Sequence, residues 1–262
     1  MKRQFPPFFL ALVASIVTAA SLQGQTPQGE PRLLLNIIVE GLDAETLDLL
    51  ASKFGADGGF NKLRGGSLTL TNADYGTYLD PAASSALLVT GASPSVNGIA
   101  GAETYDRESL RAKSVFSDPS ILGNFTTDTY SPSALRVSTV GDEARIAAGG
   151  VNLAYAVAPT PEQAIVLAGH TANSALWIDS KSGNWASSTF YRDMPATIAM
   201  RNRIRPLSAR MDTMSWTPAL DPSEYPSLPE HLRKYPFRYV IPRGAQTAER
   251  IERFVSSPLG NA

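Results

Sequence analysis

Short unbroken apolar runs alternate along the chain with stretches of helical spacing, as expected where strands and helices take turns. The run at 32–39, RLLLNIIV, stops at Glu40-Gly41. With no polar face, it predicts a buried central strand, parallel to its neighbours because both faces must be covered. Over 43–54, Leu47, Leu50 and Phe54 share one helical face and Asp43 stands as the N-cap. Glycines between 55 and 59 break that helix. Alternation at 67–72 predicts a second strand, and 81–90, PAASSALLVT, is small, apolar and helix-forming. Further on, 142–148 reads as a helix, with 152–158 and 163–167 as strands. A hairpin follows, with arms 175–179 and 185–191 around Ser180-Lys181-Ser182-Gly183. The order predicts an α/β layered domain.

The pattern changes at both ends. Lys2 and Arg3 precede an apolar run at 8–20 and then small or polar residues, the layout of a secretory signal peptide cut between Ala20 and Gln25. The run is short of the ~20 residues that span a bilayer, so an uncleaved anchor is the weaker alternative. Between 206 and 242 stand seven prolines and few long apolar runs. That stretch reads as an irregular insertion or lid on the main domain, or as a loose linker. The expected organisation is a signal segment at 1–24, the α/β domain at 25–205, a Pro-rich insertion at 206–245 and a return to the core at 246–262.

Composition narrows the chemistry. Of 262 residues, 43% are apolar and 18% charged, below the roughly 25% charged of an average domain, and the net charge is −1. Nothing global favours nucleic acid or an anionic membrane. From Arg192 onward basic residues outnumber acidic ones 11 to 7, the ordinary excess of a solvated face. The absence of cysteine excludes disulfides, thiolate metal sites and a cysteine nucleophile. Export without cysteine points to a bacterial periplasmic or secreted protein. His170 and His231 are the only histidines, too few for a self-contained three-histidine zinc site.

Candidate chemistry is sparse. Glu40, where a strand would turn through glycine, sits where parallel sheets bind ligands, as an oxygen ligand to a cation or as a solvated turn residue. A helix starting at Pro81 would aim unpaired N–H groups at an anion. Ser84 and Ser85 lie close by as nucleophile candidates, but no histidine is near in sequence to activate them, and packing roles suit both. His170, after an apolar segment, reads as a structural hydrogen-bonding residue or a ligand. His231 has a weaker case.

At these residues a resemblance emerges. NIIVEGL, GGFNKL, LLVTGASPSVNGIAGAETYD and LAGHTANSALWIDSKSGNWASSTFY, in that order from about residue 31 to 261, resemble the alkaline phosphatase superfamily. Phosphate-irrepressible alkaline phosphatases and type I phosphodiesterase/nucleotide pyrophosphatases are the most similar branches. The resemblance implies a doubly wound, mostly parallel sheet with helices on both faces, incomplete here. It also implies bound zinc, and hydrolysis of phosphate mono- or diesters through a Thr or Ser nucleophile.

The departures bear on activity. The family's zinc-binding aspartate at the end of the first strand corresponds to Glu40. Its nucleophilic threonine falls on Pro81, or on Leu79 if two residues are inserted, and neither has a hydroxyl. The phosphate-binding asparagine falls on Ala102. The Lys and Arg that hold the phosphoryl group fall on Thr160 and Glu162, and a glutamate repels phosphate. The remaining zinc ligands lie in the family's second half, so zinc is not expected to bind this chain alone. The expectation is a phosphatase-like chain, catalytically impaired by itself. Two alternatives stay open: a periplasmic binding or scaffold protein with a protein partner, and a hydrolase acting on a phosphate ester only within a longer chain.

Overall fold

Residues 33–66, 73–75, 79–191, 194–211, 213–221, 224, 239–241 and 247–257 are described by a computed structural model. Two compact units are distinguished, Met1–Leu42 and Asp43–Ala262.

In the first unit, residues 33–39 form no strand and, apart from half-buried Ile38, are exposed, Leu33 by 77% and Ile37 by 71%. The buried central strand expected at 32–39 is therefore not formed over 33–39. Apolarity alone does not make a strand; its N–H and C=O groups need a neighbouring strand, and no described strand pairs with this run. Glu40 is exposed at a turn, followed by Gly41 at φ +72°, a backbone region glycine adopts without strain. Glu40 thus stands at a turn after a segment that is not a strand over 33–39.

The second unit opens with α1 (Ala44–Leu50), where Asp43 caps as expected by accepting from the Thr46 N–H at 2.6 Å. A 3-10 turn, Ala51–Lys53, extends it to Phe54, which stacks on Phe60 of α2 (Gly59–Gly66) with ring centroids 4.7 Å apart. The strand expected at 67–72 lies outside the described residues.

Helix α3 (Pro81–Thr90) has the expected bounds, with Pro81 in its first turn and Gly91 at φ +66° as its C-cap. Its Ala82, Ala83, Ala86 and Val89 are buried. Small side chains let it lie close against α6 (Pro161–Ala168), which buries Ala164, Ile165, Val166 and Ala168. The strand expected at 163–167 is thus a helix. A short apolar run fits either state, and here Thr160 at the N-cap, Pro161 in the first turn and Glu162 behind it favour the helix.

Between them come the short α4 (Pro94–Asn97), the hairpin β1 (Glu103–Asp106) and β2 (Arg111–Ser114), the two-residue β3 (Gly123–Asn124), α5 (Val140–Ala147) and β4 (Tyr155–Val157). Helix α5 starts ahead of the expected 142 because Thr139 and Asp142 form a reciprocal capping box. The hairpin expected after α6 is present as β5 (Ser174–Ile178) and β6 (Trp185–Ser188), with Trp177 opposite Ala186.

The main sheet runs β3-β6-β5-β4. Only β4 and β5 are parallel, while β5–β6 and β3–β6 are antiparallel, so the α/β class holds with a mixed described sheet. Trp177, Phe116, Ile99 and Ile165 centre its core. Within the Pro-rich stretch, β7 (Ser215–Trp216) pairs with β8 (Tyr239–Val240), after α7 (Ala196–Ile204) and before α8 (Thr247–Val255). Met211, Ile241, Ile251 and Phe254 form a second, smaller cluster there.

Candidate functional site

The start of α3 is organised by Asp80. One carboxylate oxygen accepts the Ala82 N–H at 2.8 Å, capping the helix, and also the Ala102 N–H at 3.0 Å. Pro81 and Ala102, 21 residues apart, are therefore held side by side. The Ala102 carbonyl accepts the Val115 N–H at 2.9 Å, and the next pair, Glu103 and Ser114, are partners in the β1–β2 register. The Ser114 hydroxyl donates to Glu162 at 2.8 Å. Thr160 stands two residues earlier, before the first turn of α6, with its hydroxyl 3.1 Å from the Gln163 side-chain oxygen. Pro81, Ala102, Thr160 and Glu162 thus belong to one continuous patch.

Asp80→Ala removes both acceptor contacts. It is expected to lower stability by about 2 kcal/mol or more, the sum of a lost cap and one orphaned amide. Urea unfolding would measure this, and a change below about 0.5 kcal/mol, the scatter of neutral surface changes, would show that Asp80 ties nothing together.

Carboxylates gather around Tyr130, near Glu162. Burial pushes the Tyr130 hydroxyl up to about 12, and the carboxylates of Asp128, Glu162 and Asp179 add to the shift. No cation stands at 160 or 162. Ser85 is buried on the packed side of α3 and Ser84 is half-buried, and among the described residues no base hydrogen-bonds either hydroxyl.

His170 is committed elsewhere. Its Nδ1 lies 3.2 Å from Asp142 and its Nε2 lies 3.0 Å from the Leu135 carbonyl oxygen. Asp142, 1% exposed, also accepts N–H groups from Thr139, His170 and Thr171 and the Thr171 hydroxyl. Asp179, likewise buried, accepts from Thr126 and from the Ser182 N–H and hydroxyl, fixing the turn of the β5–β6 hairpin. The GHT and DSKSGNW segments of the sequence therefore fold into carboxylate-centred struts. His231 lies outside the described residues.

Among the described residues no three His, Asp or Glu side chains gather at metal-binding distance. The carboxylate–histidine pair among the described residues, Asp142 with His170, is already engaged on both sides. The described donors do not fit a zinc centre. Asp80, Asp142 and Asp179 are the organising residues that composition and spacing passed over. Asp80-Pro81 at a helix start and Thr139-Val140-Gly141-Asp142, a T-x-x-D capping pattern, were their signals.

No protein-family profile matches the chain. Alkaline phosphatase PafA of Elizabethkingia meningoseptica is 27% identical over 221 residues, covering 82% of this chain and 40% of that protein. Alkaline phosphatase PhoV of Synechococcus elongatus is 31% identical over 166 residues, 62% of this chain and 30% of its own length. A protein of Myroides odoratus named calcium-transporting ATPase is 29% identical over 181 residues, 66% of this chain and 32% of its own length. In structure, a four-substitution variant of PafA superposes with a TM-score of 0.62 at 26% identity, over 71% of this chain and 37% of that one.

The α/β fold is thus similar, in both sequence and structure, to that of alkaline phosphatases. The likeness supports a relationship to the alkaline phosphatase superfamily over the N-terminal part of that fold. It spans two fifths or less of the length of these curated relatives.

Proposed function

We propose that this chain is an exported, phosphatase-like protein that does not by itself hydrolyse phosphate mono- or diesters. One observation carries the reading. The residues that the resemblance assigns to nucleophile and phosphate clamp, Pro81, Ala102, Thr160 and Glu162, are joined in one patch through Asp80 and Ser114. Pro81 offers no hydroxyl to be phosphorylated, Ala102 no side-chain amide, and Glu162 a carboxylate where a cation is needed. Removing a single oxyanion donor costs on the order of 3–4 kcal/mol of transition-state stabilisation, and several are changed here together.

The test is turnover of p-nitrophenyl phosphate and bis(p-nitrophenyl) phosphate by the chain with added zinc. The expected rate is that of buffer, with no stoichiometric zinc retained after dialysis; turnover clearly above buffer would overturn the reading. A Pro81→Thr, Ala102→Asn double variant is expected to remain at background, because Thr160 and Glu162 still leave the phosphoryl group without a cationic clamp.

The length of the relatives favours a second reading. A chain spanning 40% of PafA is consistent with a hydrolase completed by further sequence, with Glu40 as a metal ligand and Ser84 or Ser85 in an unusual role. Zinc-dependent turnover by a longer polypeptide containing this sequence, absent from its Ser84→Ala, Ser85→Ala form, would favour it. Without catalysis, the retained fold serves as a binding or scaffold surface for a protein partner. Export is the reading of residues 1–24; among the described residues no helix is long and apolar enough to cross a membrane.

A further inference from the structure

Helix α7 (Ala196–Ile204) is tied to the main sheet by one side chain. Asn202, buried, accepts the Trp185 N–H at 2.9 Å and donates to the Trp185 carbonyl at 2.8 Å, a reciprocal pair at the start of β6. At about 100° per residue, this pair fixes what the rest of the helix presents. Met200 and Ile204, two residues to either side, lie opposite Asn202 and form the outer crest, 59% and 68% exposed. Arg201 and Arg203, one residue to either side, flank that crest on its two sides, and both are exposed. Arg205 at the C-cap and Arg210 after the next 3-10 turn, Leu207–Ala209, are exposed as well.

The basic excess after Arg192 is gathered here. Between Asp193 and Asp212 stand four arginines and no acidic residue. None of the four makes an ion pair or a side-chain hydrogen bond among the described residues. The helix macrodipole favours cations in the last turn, which accounts for Arg201 and Arg203. It accounts neither for Arg210 nor for two large aliphatic side chains raised between the charges.

We infer that this face of α7 docks on the surface of an anionic phospholipid bilayer. The Met and Ile crest seats between headgroups at the edge of the acyl region, while arginines on both flanks reach sideways to lipid phosphates, as a helix lying in the membrane interface does. Charge decides the occupant. Each basic residue near an anionic leaflet adds attraction, and the rest of this chain supplies no complement. The residues outside the described set carry eight lysines and arginines against four carboxylates. Nucleic acid would leave the crest unused, since 194–211 contains no aromatic side chain on which a base could stack. A specific protein interface takes roughly 20–30 residues a side, far more than this patch supplies. The contact is therefore weak, reversible and sensitive to salt. It rests on the export reading only for where such a surface is met; vesicle binding depends neither on export nor on hydrolysis.

The chain has no cysteine, so Ile204→Cys in the full chain takes a single environment-sensitive fluorophore on the crest. Its emission is expected to rise and shift to the blue with phosphatidylcholine vesicles containing about one third phosphatidylglycerol, and to stay unchanged with phosphatidylcholine alone. The same label at Glu108→Cys, exposed on the β1–β2 hairpin, should not respond, which separates contact at α7 from any lipid contact of the apolar run at 8–20. Titrating the signal at 204 gives a partition coefficient. Adding Arg201→Gln and Arg203→Gln should lower it at least tenfold, and adding Met200→Gln at least threefold. Raising the salt from about 0.1 M to about 1 M, which shortens the screening length from roughly 10 Å to 3 Å, should abolish the response. No response at 204, an equal response with phosphatidylcholine alone, or a partition coefficient that the arginine pair leaves unchanged overturns the inference. So does an equal response to soluble polyglutamate at matched charge together with no effect of Met200→Gln, which would assign the arginines to an acidic polypeptide. Should the arginine pair lose the circular dichroism of the wild type, Arg203→Gln alone decides, and less than a threefold fall overturns the inference.

Discussion

Asp142→Ala is expected to lower the free energy of unfolding by about 4 kcal/mol or more, since each orphaned buried donor costs roughly 1–3 kcal/mol. The carboxylate is 1% exposed and serves three backbone N–H groups, from Thr139, His170 and Thr171, besides the Thr171 hydroxyl and the His170 ring. Alanine supplies none of these acceptors, and the emptied space can readmit water only in part. Against a typical domain stability of about 5–15 kcal/mol, the variant would sit close to unfolding. Urea titration followed by the fluorescence of the buried Trp177 measures the loss, and a value below about 1.5 kcal/mol, ordinary for one neutral hydrogen bond, would deny Asp142 its central role. The pH dependence gives a second signature. Burial acts to raise the Asp142 carboxyl, but the hydrogen bonds from Thr139, Thr171 and His170 outweigh it and hold the group below the usual 3.8. Asp179 is lowered in the same way: burial raises it, and Ser182 and Thr126 more than compensate. A carboxyl depressed in the folded state contributes stability that is present above its unfolded value and is lost as pH falls through the folded one. The wild-type urea midpoint should therefore drop on acidification below about pH 4, and Asp142→Ala should drop less steeply.

Local signals in the sequence translated well where one element decides its own geometry. Pro81 followed by small apolar residues to Thr90 marks α3, and the apolar arms around Ser180 to Gly183 mark the β5–β6 hairpin. Runs whose state depends on neighbours were less legible. Residues 163–167 and 33–39 are both short and apolar, yet the first is helical, started by Pro161, and the second is largely exposed and is not a strand. The candidate site divides along the same line. That Ala102 is tied to the start of α3 depends on a bond between Asp80 and a backbone amide 22 residues away, which no spacing rule reveals. His170 looked like a possible ligand because its partner, Asp142, lies 28 residues earlier in the chain and reads locally as a helix-capping residue.

Gly169→Ala carries the second large effect, and it tests the same strut from the opposite side. Gly169 has φ +64° and ψ −146°, a region occupied essentially by glycine alone. A Cβ there would lie 2.4 Å from an Asp142 carboxylate oxygen and 2.6 Å from the Thr139 hydroxyl oxygen, both buried and already bonded. Neither can retreat without breaking the capping box of α5, and the Gly169 carbonyl is itself fixed by the Tyr191 hydroxyl at 3.1 Å. Backbone strain of about 1–3 kcal/mol and the displaced carboxylate together give an expected loss of roughly 3–5 kcal/mol. Gly149→Ala separates the two contributions. Gly149 also has positive φ, at +62°, but a Cβ there meets nothing within 4 Å, so about 1 kcal/mol is expected. If the clash with Asp142 is the larger part at 169, then removing the carboxylate removes the clash. The Asp142→Ala, Gly169→Ala double variant should then lose at least about 1 kcal/mol less than the sum of the single losses. Strict additivity would mean that Gly169 is required for its backbone conformation alone and that the tight approach to Asp142 contributes nothing to the choice of glycine.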